Sequence, residues 1–128
     1  MDALNKLKAI CEAATPGPWR ASRAYENHES GAVFDDDCGL LAGNLFFEDA
    51  AFISTARSAM PALIELVEAM EWERECSQAV SACAKEAILR PSEENKEAHK
   101  AAYCVYKATV AAVESAKAKL ENIVCPTA

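Results

Sequence analysis

The chain lacks every short motif that marks a common catalytic site. It contains no P-loop, no Gly-x-Gly-x-x-Gly, no His-Glu-x-x-His and no Gly-x-Ser-x-Gly. It has only two histidines, which restricts general-base and zinc chemistry. The sequence therefore predicts a protein that is not an enzyme, and it assigns no catalytic residue, no cofactor and no metal-ligand set.

A secretory signal, a membrane span and a basic patch are also missing from the sequence. No stretch approaches the ~18 apolar residues of a membrane span, and the N-terminus lacks a basic segment followed by an apolar run. Residues 1–60 carry nine acids and five bases, and residues 61–128 carry eleven and eight, which gives a net charge of −7. We therefore expect a cytoplasmic protein that binds neither nucleic acid directly nor a membrane. The acidity either serves solubility alone or suits a basic partner, such as a nucleic-acid-binding protein.

Six cysteines are present, but no Cys-x-x-Cys. The cytoplasm keeps thiols reduced, so the even number does not predict disulfides. Cys76 and Cys83 lie two helical turns apart, about 10 Å along a helix axis, which is too far for two ligands of one zinc ion. We expect most of the cysteines to be small core residues.

The first half of the chain changes its periodicity twice. Apolar residues at spacings of three and four predict a helix over 2–14, which Pro16 ends. In the turn that follows, Gly17 is free to take a positive φ. Short apolar runs between polar, glycine-ending loops then predict two or three antiparallel strands within 19–44. Helix resumes between Asn44 and Asp49, either of which could cap it.

The second half of the chain is predicted to be two long helices. The first has a kink or break at Pro61 and ends at Arg90-Pro91-Ser92, and the second runs from about Glu93 to Asn122. The short turn makes them antiparallel neighbours. The predicted facing pairs are Cys76 with Tyr106, Val80 with Tyr103, and Cys83 with His99. The predicted seam of the last helix is Tyr103, Tyr106, Val110, Val113, Lys117, Leu120 and Val124.

These elements together predict an α+β fold that is mainly α. Residues 1–60 form a small head of one helix and a short β-hairpin, and it packs on a long antiparallel helical hairpin over 61–128. We expect the two parts to fold as one cooperative domain. The helices are too long for the head to cover, so the exposed remainder of their seam predicts a homo-oligomer, either a dimer or a tetramer.

Two motifs in the first half resemble a known family. They are the Thr-Pro-Gly-Pro-Trp turn of Thr15 to Trp19 and the Asp-Ala-x-Phe-Ile-x-x-Ala-Arg helix that begins at Asp49 and continues to Val67. In combination they resemble the Ead-type early-region proteins encoded by phages, over about residues 1–70. The resemblance implies phage or prophage origin, a location in the bacterial cytoplasm, and an accessory role in host takeover or defence evasion. The family has no agreed enzymatic activity, so no catalytic residue is transferred.

The candidate contact residues lie in the head. Its aromatic residues either form the core or line a docking patch, with Phe46 and Phe47 the pair expected to be partly exposed. The residues predicted to contact a partner or ligand are Trp19, Arg20, Arg23, Tyr25, Asp35, Asp36, Asp37, Phe46, Phe47 and Arg57.

Two further clusters have a chemical and a structural interpretation. Glu26, His28, Glu29 and Asp35 to Asp37 could bind a divalent ion, but a solvated acidic loop explains them better. Cys83 and His99 could form a nucleophilic pair or metal site, but a seam cysteine beside a histidine explains them better.

The function expected from these observations is stoichiometric binding. The chain would inhibit or redirect a host protein in a defence or transcription system. The alternative is an oligomeric sponge for small molecules such as nucleotide signals, with Arg20, Arg23 and Arg57 as the phosphate-binding residues.

Overall fold

In a computed structural model of the chain, residues 2–23 and 29–126 are described. The fold is α+β and mainly α, as the sequence predicts, with a long pair of packed helices and a small sheet. In chain order the elements are α1 (Asp2–Ala13), β1 (Arg20–Arg23), β2 (Ser30–Phe34), β3 (Leu40–Phe46), α2 (Phe47–Leu89) and α3 (Glu93–Val124).

Helix α1 ends before Pro16, as predicted, but Gly17 in the turn that follows does not have a positive φ. Ala14 donates the last helical hydrogen bond, to the carbonyl of Ile10 at 3.1 Å, and the Gly17–Pro18 peptide bond is cis. No glycine in the described part of the chain has a positive φ, so the expected φ at Gly17 is wrong. Positive φ occurs instead at Cys38 (63°) and Asn44 (56°), in the loop before β3 and within it.

The three strands form one antiparallel sheet in the order β1-β2-β3. The central strand carries Val33, whose side chain is fully buried. Two register irregularities on either side of Val33 shift the pairing with β3. Such irregularities increase local twist and make the free edge of β3 a poorer template for another strand.

Helix α2 begins directly after β3. The backbone N–H of Phe47 donates to the carbonyl of Glu29 at 2.8 Å, which satisfies one of the N–H groups left unpaired at a helix start. Asn44 lies inside β3, and Asp49 lies inside the first turn of α2, so neither of the two predicted residues caps the helix. The predicted break at Pro61 does not occur either, since α2 is a single helix with Pro61 inside it. Buried residues on both sides of Pro61, from Ala59 to Ile64, hold the helix through that point.

One property of α2 departs from the sequence-based expectation. By length and composition, a segment of this helix is apolar enough to cross a membrane, and 28% of that segment is buried in the structure. The core helix of a soluble protein meets the same criterion. The expected cytoplasmic location therefore stays a prediction.

The chain divides into two compact units. One comprises Met1–Ile64 with Leu120–Ala128, and the other comprises Glu65–Lys119. The first contains α1, the sheet and the start of α2, with buried Val33, Ala50 and Ser54 among its core residues. The second, which we call the hairpin unit, contains the rest of α2 and most of α3.

The packing of α3 in the hairpin unit differs from the predicted seam. Its buried residues are Thr109, Val113 and Ala116, whereas Tyr103 and Lys117 are exposed. Of the predicted seam, Val113 is buried and Tyr106, Val110 and Leu120 are half-buried. The prediction is wrong at the exposed residues, and it missed Thr109 and Ala116 because two helices that approach closely favour small residues between them.

The antiparallel pairing of the two helices is confirmed by an ion pair. The Lys119 ammonium lies 2.7 Å from a carboxylate oxygen of Glu65, which is close to the pairing predicted for a turn at Pro91. Ser92 caps α3, because its hydroxyl accepts a hydrogen bond from the backbone N–H of Asn95 at 3.1 Å.

The cysteines are free thiols, and none of them is a core residue. Cys38, Cys104 and Cys125 are exposed, and the other three are half-buried. The expectation that most are small core residues is therefore wrong. The fully buried positions are few and are filled mainly by alanine, valine and threonine.

Candidate functional site

Trp19 and Arg57 connect the turn after α1 to helix α2. The Trp19 indole N–H donates to the carbonyl of Thr15 at 3.1 Å. The Arg57 guanidinium lies 5.6 Å from the centre of the Trp19 ring. It also donates to the carbonyls of Cys11 and Thr15 at 3.3 Å each. One arginine of α2 thus fixes the C-terminal end of α1 and the tryptophan of the Thr-Pro-Gly-Pro-Trp turn.

An apolar groove lies between α1 and the first turns of α2, with Trp19 and Arg57 in its wall. Its volume is about 290 Å³. We call it the α1/α2 groove, and its lining residues are Leu7, Ile10, Cys11, Ala14, Trp19, Phe52, Ile53, Ala56, Arg57 and Met60. Two of its apolar side chains are largely in solvent, with Ile10 66% and Phe52 74% exposed.

The α1/α2 groove is better suited to apolar contact with a partner than to catalysis. All but one of the lining side chains are apolar or a thiol, and the exception, Arg57, already donates to two backbone carbonyls. Exposed aliphatic and aromatic residues along two neighbouring helices are typical of grooves that accept an amphipathic helix. Covering Phe52 and Ile10 would remove apolar surface from water and stabilise a complex.

Arg20 and Arg23, which the sequence predicts as contact residues, lie on β1 and not in the α1/α2 groove, and both have intramolecular contacts. Arg20 donates to the carbonyl of Asp36 at 3.2 Å and lies 3.6 Å from the Cys38 sulfur. It lines a second cavity, of about 380 Å³, beside β1 and β2. The Arg23 guanidinium lies 4.1 Å from the centre of the Phe47 ring, in a cation–π contact.

The acidic loop after β2 is organised by its own backbone. A carboxylate oxygen of Asp35 accepts the N–H of Gly39 at 2.6 Å, and the Asp35 N–H donates to the carbonyl of Gly39 at 3.0 Å. Asp36 and Asp37 are exposed at the tip. Asp35 therefore closes the loop between β2 and β3.

The proposed metal cluster falls partly outside the structure. Glu26 and His28 lie outside the described residues, as does the candidate contact residue Tyr25. Within 2–23 and 29–126, no group of three or more His, Cys, Asp or Glu side chains is placed to hold a metal ion.

The two neighbouring phenylalanines have different environments. Phe46 ends β3 and is 62% exposed, while Phe47 begins α2 and is half-buried under Arg23. The aromatic residues therefore do not all belong to the core of the head, which was one of the two interpretations, because Phe46 and Phe52 both face solvent. The core is built on Val33 and the alanines of α2 instead.

Cys83 and His99 are both half-buried positions of the hairpin unit. This environment agrees with the structural interpretation of the pair as residues along the helix seam. The alternative nucleophilic or metal role has no further support in the described contacts.

Sequence reasoning identified Trp19 and Arg57 but missed the apolar residues opposite them. The sequence contains a signal for these residues, since Leu7 and Ile10 follow the same helical spacing as the apolar positions of α2. That spacing predicts which side of a helix is apolar. It does not say whether a neighbour covers that side.

Comparison of the chain with models of protein families, with curated proteins and with solved structures found no match. The resemblance to the Ead-type phage proteins therefore stays a prediction, as does everything that it implies about function.

Proposed function

We propose that this chain is a non-enzymatic accessory protein that binds a host protein through the α1/α2 groove. The occupant is an amphipathic helix of the partner, whose apolar face covers Ile10 and Phe52. The observation that supports this most directly is the exposure of both side chains in one continuous apolar groove.

Charge restricts the chemistry of the partner. The chain carries a net charge of −7 at pH 7, so a helix with basic residues beside its apolar face would be attracted and oriented on approach. A basic, nucleic-acid-binding host protein has this character. By binding it, the chain would inhibit or redirect it in the bacterial cytoplasm, in keeping with the phage origin that the sequence resemblance implies.

Docking of a helix is favoured over the sponge for nucleotide signals. The three arginines that would hold phosphate each have an intramolecular contact, with Asp36 and Cys38, with Phe47, or with Trp19 and α1. A phosphate would have to displace these contacts. A helix in the groove leaves them in place.

The test compares two exposed phenylalanines. Phe52→Ala alters the groove and Phe46→Ala alters the end of β3, and both side chains face solvent, so neither change should unfold the protein. Affinity capture from bacterial lysate with mass spectrometry is expected to retain the same host protein with wild type and Phe46→Ala. Phe52→Ala should lose it.

A second measurement tests the kind of occupant. A synthetic peptide covering a basic amphipathic helix of the captured protein should change Trp19 fluorescence in a Trp72→Phe background, because Trp19 lines the groove. If Phe46→Ala loses the partner and Phe52→Ala keeps it, the partner binds at the end of β3, and the proposal that it binds in the α1/α2 groove is wrong. Thermal stabilisation of the protein by nucleotides, without any captured protein, would favour the sponge.

A further inference from the structure

Both flanks of the hairpin unit carry large apolar residues in solvent, but only one of them has a concave surface. The half-buried and buried positions of both helices recur every three and four residues, as in a coiled coil, and they include Cys76, Cys83, Ala102 and Thr109. Beside this seam lies what we call the Met70 flank, which consists of Val67, Met70, Tyr103 and Val110. Val67, Met70 and Tyr103 are 41%, 52% and 45% exposed.

The opposite flank differs. There Glu65 and Lys119 form an ion pair across the two helices at 2.7 Å, and the large apolar residues are Trp72 and Val105. The Met70 flank also has a concavity of about 350 Å³, lined by Val67, Met70, Glu71 and Arg74. The two flanks therefore differ in shape, since the concavity beside Met70 can accept side chains of a second surface.

The seam leaves the hairpin thinly packed. Among its described residues only Thr109 is fully buried with a side chain larger than alanine, and the other buried residues are Val113 and Ala116. Small residues bury little apolar area, and burial is the main stabilising contribution to such a helix pair.

We propose that a second copy of this chain packs on the Met70 flank, so that two hairpin units form a four-helix bundle. The area of the Met70 flank agrees with this proposal. The paired helices are roughly 25 residues long, which makes the flank about 38 Å by 20 Å, or on the order of 750 Å². A stable protein–protein interface buries about 800 Å² on each partner.

The charges select how the two copies are arranged. Apart from the Glu65–Lys119 pair of the opposite flank, residues 66–75 of α2 carry four acids and one base, a net charge of −3, whereas residues 107–118 of α3 carry two bases and one acid, a net charge of +1. A two-fold axis along the helices places α2 of each copy on α3 of the other. A two-fold axis across the helices near Met70 would instead place the acidic segment of α2 on its own copy, which is unfavourable at a helix separation of about 10 Å. The first arrangement is therefore the one proposed, and it does not depend on the groove partner.

The oligomeric state of matched variants tests the flank. Light scattering should give a mass of twice the 13.8 kDa chain. Met70→Lys should raise the dissociation constant at least 10-fold, while Trp72→Gln, on the opposite flank, should leave the mass unchanged. Circular dichroism checks that both variants keep their helical content. A wild type that is monomeric at ~100 μM, or a dimer that Trp72→Gln dissociates and Met70→Lys does not, would overturn the proposal.

A photo-cross-link tests the arrangement. A benzoylphenylalanine at position 70 should yield a covalent dimer on irradiation, and mass spectrometry of that band should place the attachment within residues 107–117 of the other copy. Attachment within 65–78 would show α2 on α2 and contradict the proposed two-fold axis. Absence of a covalent dimer would contradict the flank itself.

Discussion

Gly31 shows how one residue can set the distance between two elements. A Cβ built on Gly31 would lie 2.9 Å from the Cα of Phe47 and 3.3 Å from the carbonyl oxygen of Ser22. Both neighbours are backbone atoms, which cannot move aside as a flexible side chain does. The position therefore needs glycine for close approach of β2 to the start of α2, and not for its backbone freedom.

We expect Gly31→Ala to lower the free energy of unfolding by about 2 kcal/mol, because extra volume in a packed site forces backbone shifts. Urea unfolding measures the change. Gly43→Ala is the control, since its Cβ would meet only Leu40 side-chain carbons at 3.9 Å and 4.0 Å. Equal losses in the two variants would mean that the close approach is not what makes Gly31 necessary.

Ser92 determines where α3 begins. Its hydroxyl accepts the N–H of Asn95, whose own side chain donates to the carbonyl of Arg90 at 2.7 Å. Together the two contacts close the turn around Pro91. Removing the cap leaves a helix N–H without its protein partner.

Ser92→Ala should therefore destabilise the protein by about 1 kcal/mol, measured by urea unfolding. The matched change is Ser115→Ala, an exposed position inside the same helix, where alanine should be neutral or raise stability by a few tenths of a kcal/mol. A Ser92→Ala protein as stable as Ser115→Ala would show that Ser92 does not cap α3 in solution.

The observed seam of α3 makes a second prediction for this helix. Ala116 is buried and Ala118, two residues on, is exposed. Ala116→Leu should cost 1 to 3 kcal/mol or so of stability through overpacking, and Ala118→Leu should cost close to none. Thermal unfolding of the two variants distinguishes the observed seam from the row of larger residues that the sequence suggested. If Ala116→Leu is as stable as the wild type, the row of larger residues, and not Ala116, forms the packed side of α3.

Self-association has a consequence for the whole molecule. If two copies fold as one bundle, the midpoint of thermal unfolding must rise with protein concentration, since association stabilises only the folded chain. We expect the midpoint to rise by several degrees between 5 and 500 μM protein. This range suits a dissociation constant in the micromolar range. At each concentration the midpoint of Met70→Lys should lie below that of the wild type, since less of the variant is associated. A wild type whose midpoint does not change with concentration would speak against the bundle.

The prediction of the elements succeeded where the signal is local. Proline at 16 and 91, glycine-ending polar loops and helical spacing placed the helices and the strand region close to their observed bounds. The predicted break at Pro61 was wrong because the sequence shows the missing N–H but not the buried neighbours that keep α2 continuous. The predicted α3 seam was wrong at Tyr103 and Lys117 for a related reason, since residue size alone does not tell which row of a helix meets its partner.

Among the candidate contact residues, Trp19 and Arg57 are brought together, whereas Arg20 and Arg23 lie on the sheet and Asp35 to Asp37 form its loop. The sequence motifs identified Trp19 and Arg57, because Trp19 ends a proline-rich turn and Arg57 belongs to the helix motif that begins at Asp49. It missed Ile10 and Phe52 as exposed groove residues, because exposure depends on what packs nearby.

The sequence by itself determined the helical content, the turn positions and the acidic charge, because propensity, proline geometry and net charge are properties of the chain alone. Tertiary structure decided which apolar residues are covered. Among helical residues, Thr109 became buried, while Phe52 and Met70 were left in solvent although they belong to an apolar helical stripe. Burial depends on how closely two backbones approach. Small residues such as Gly31 and Ala116 set that distance, and their effect is felt only when the partner element is in place.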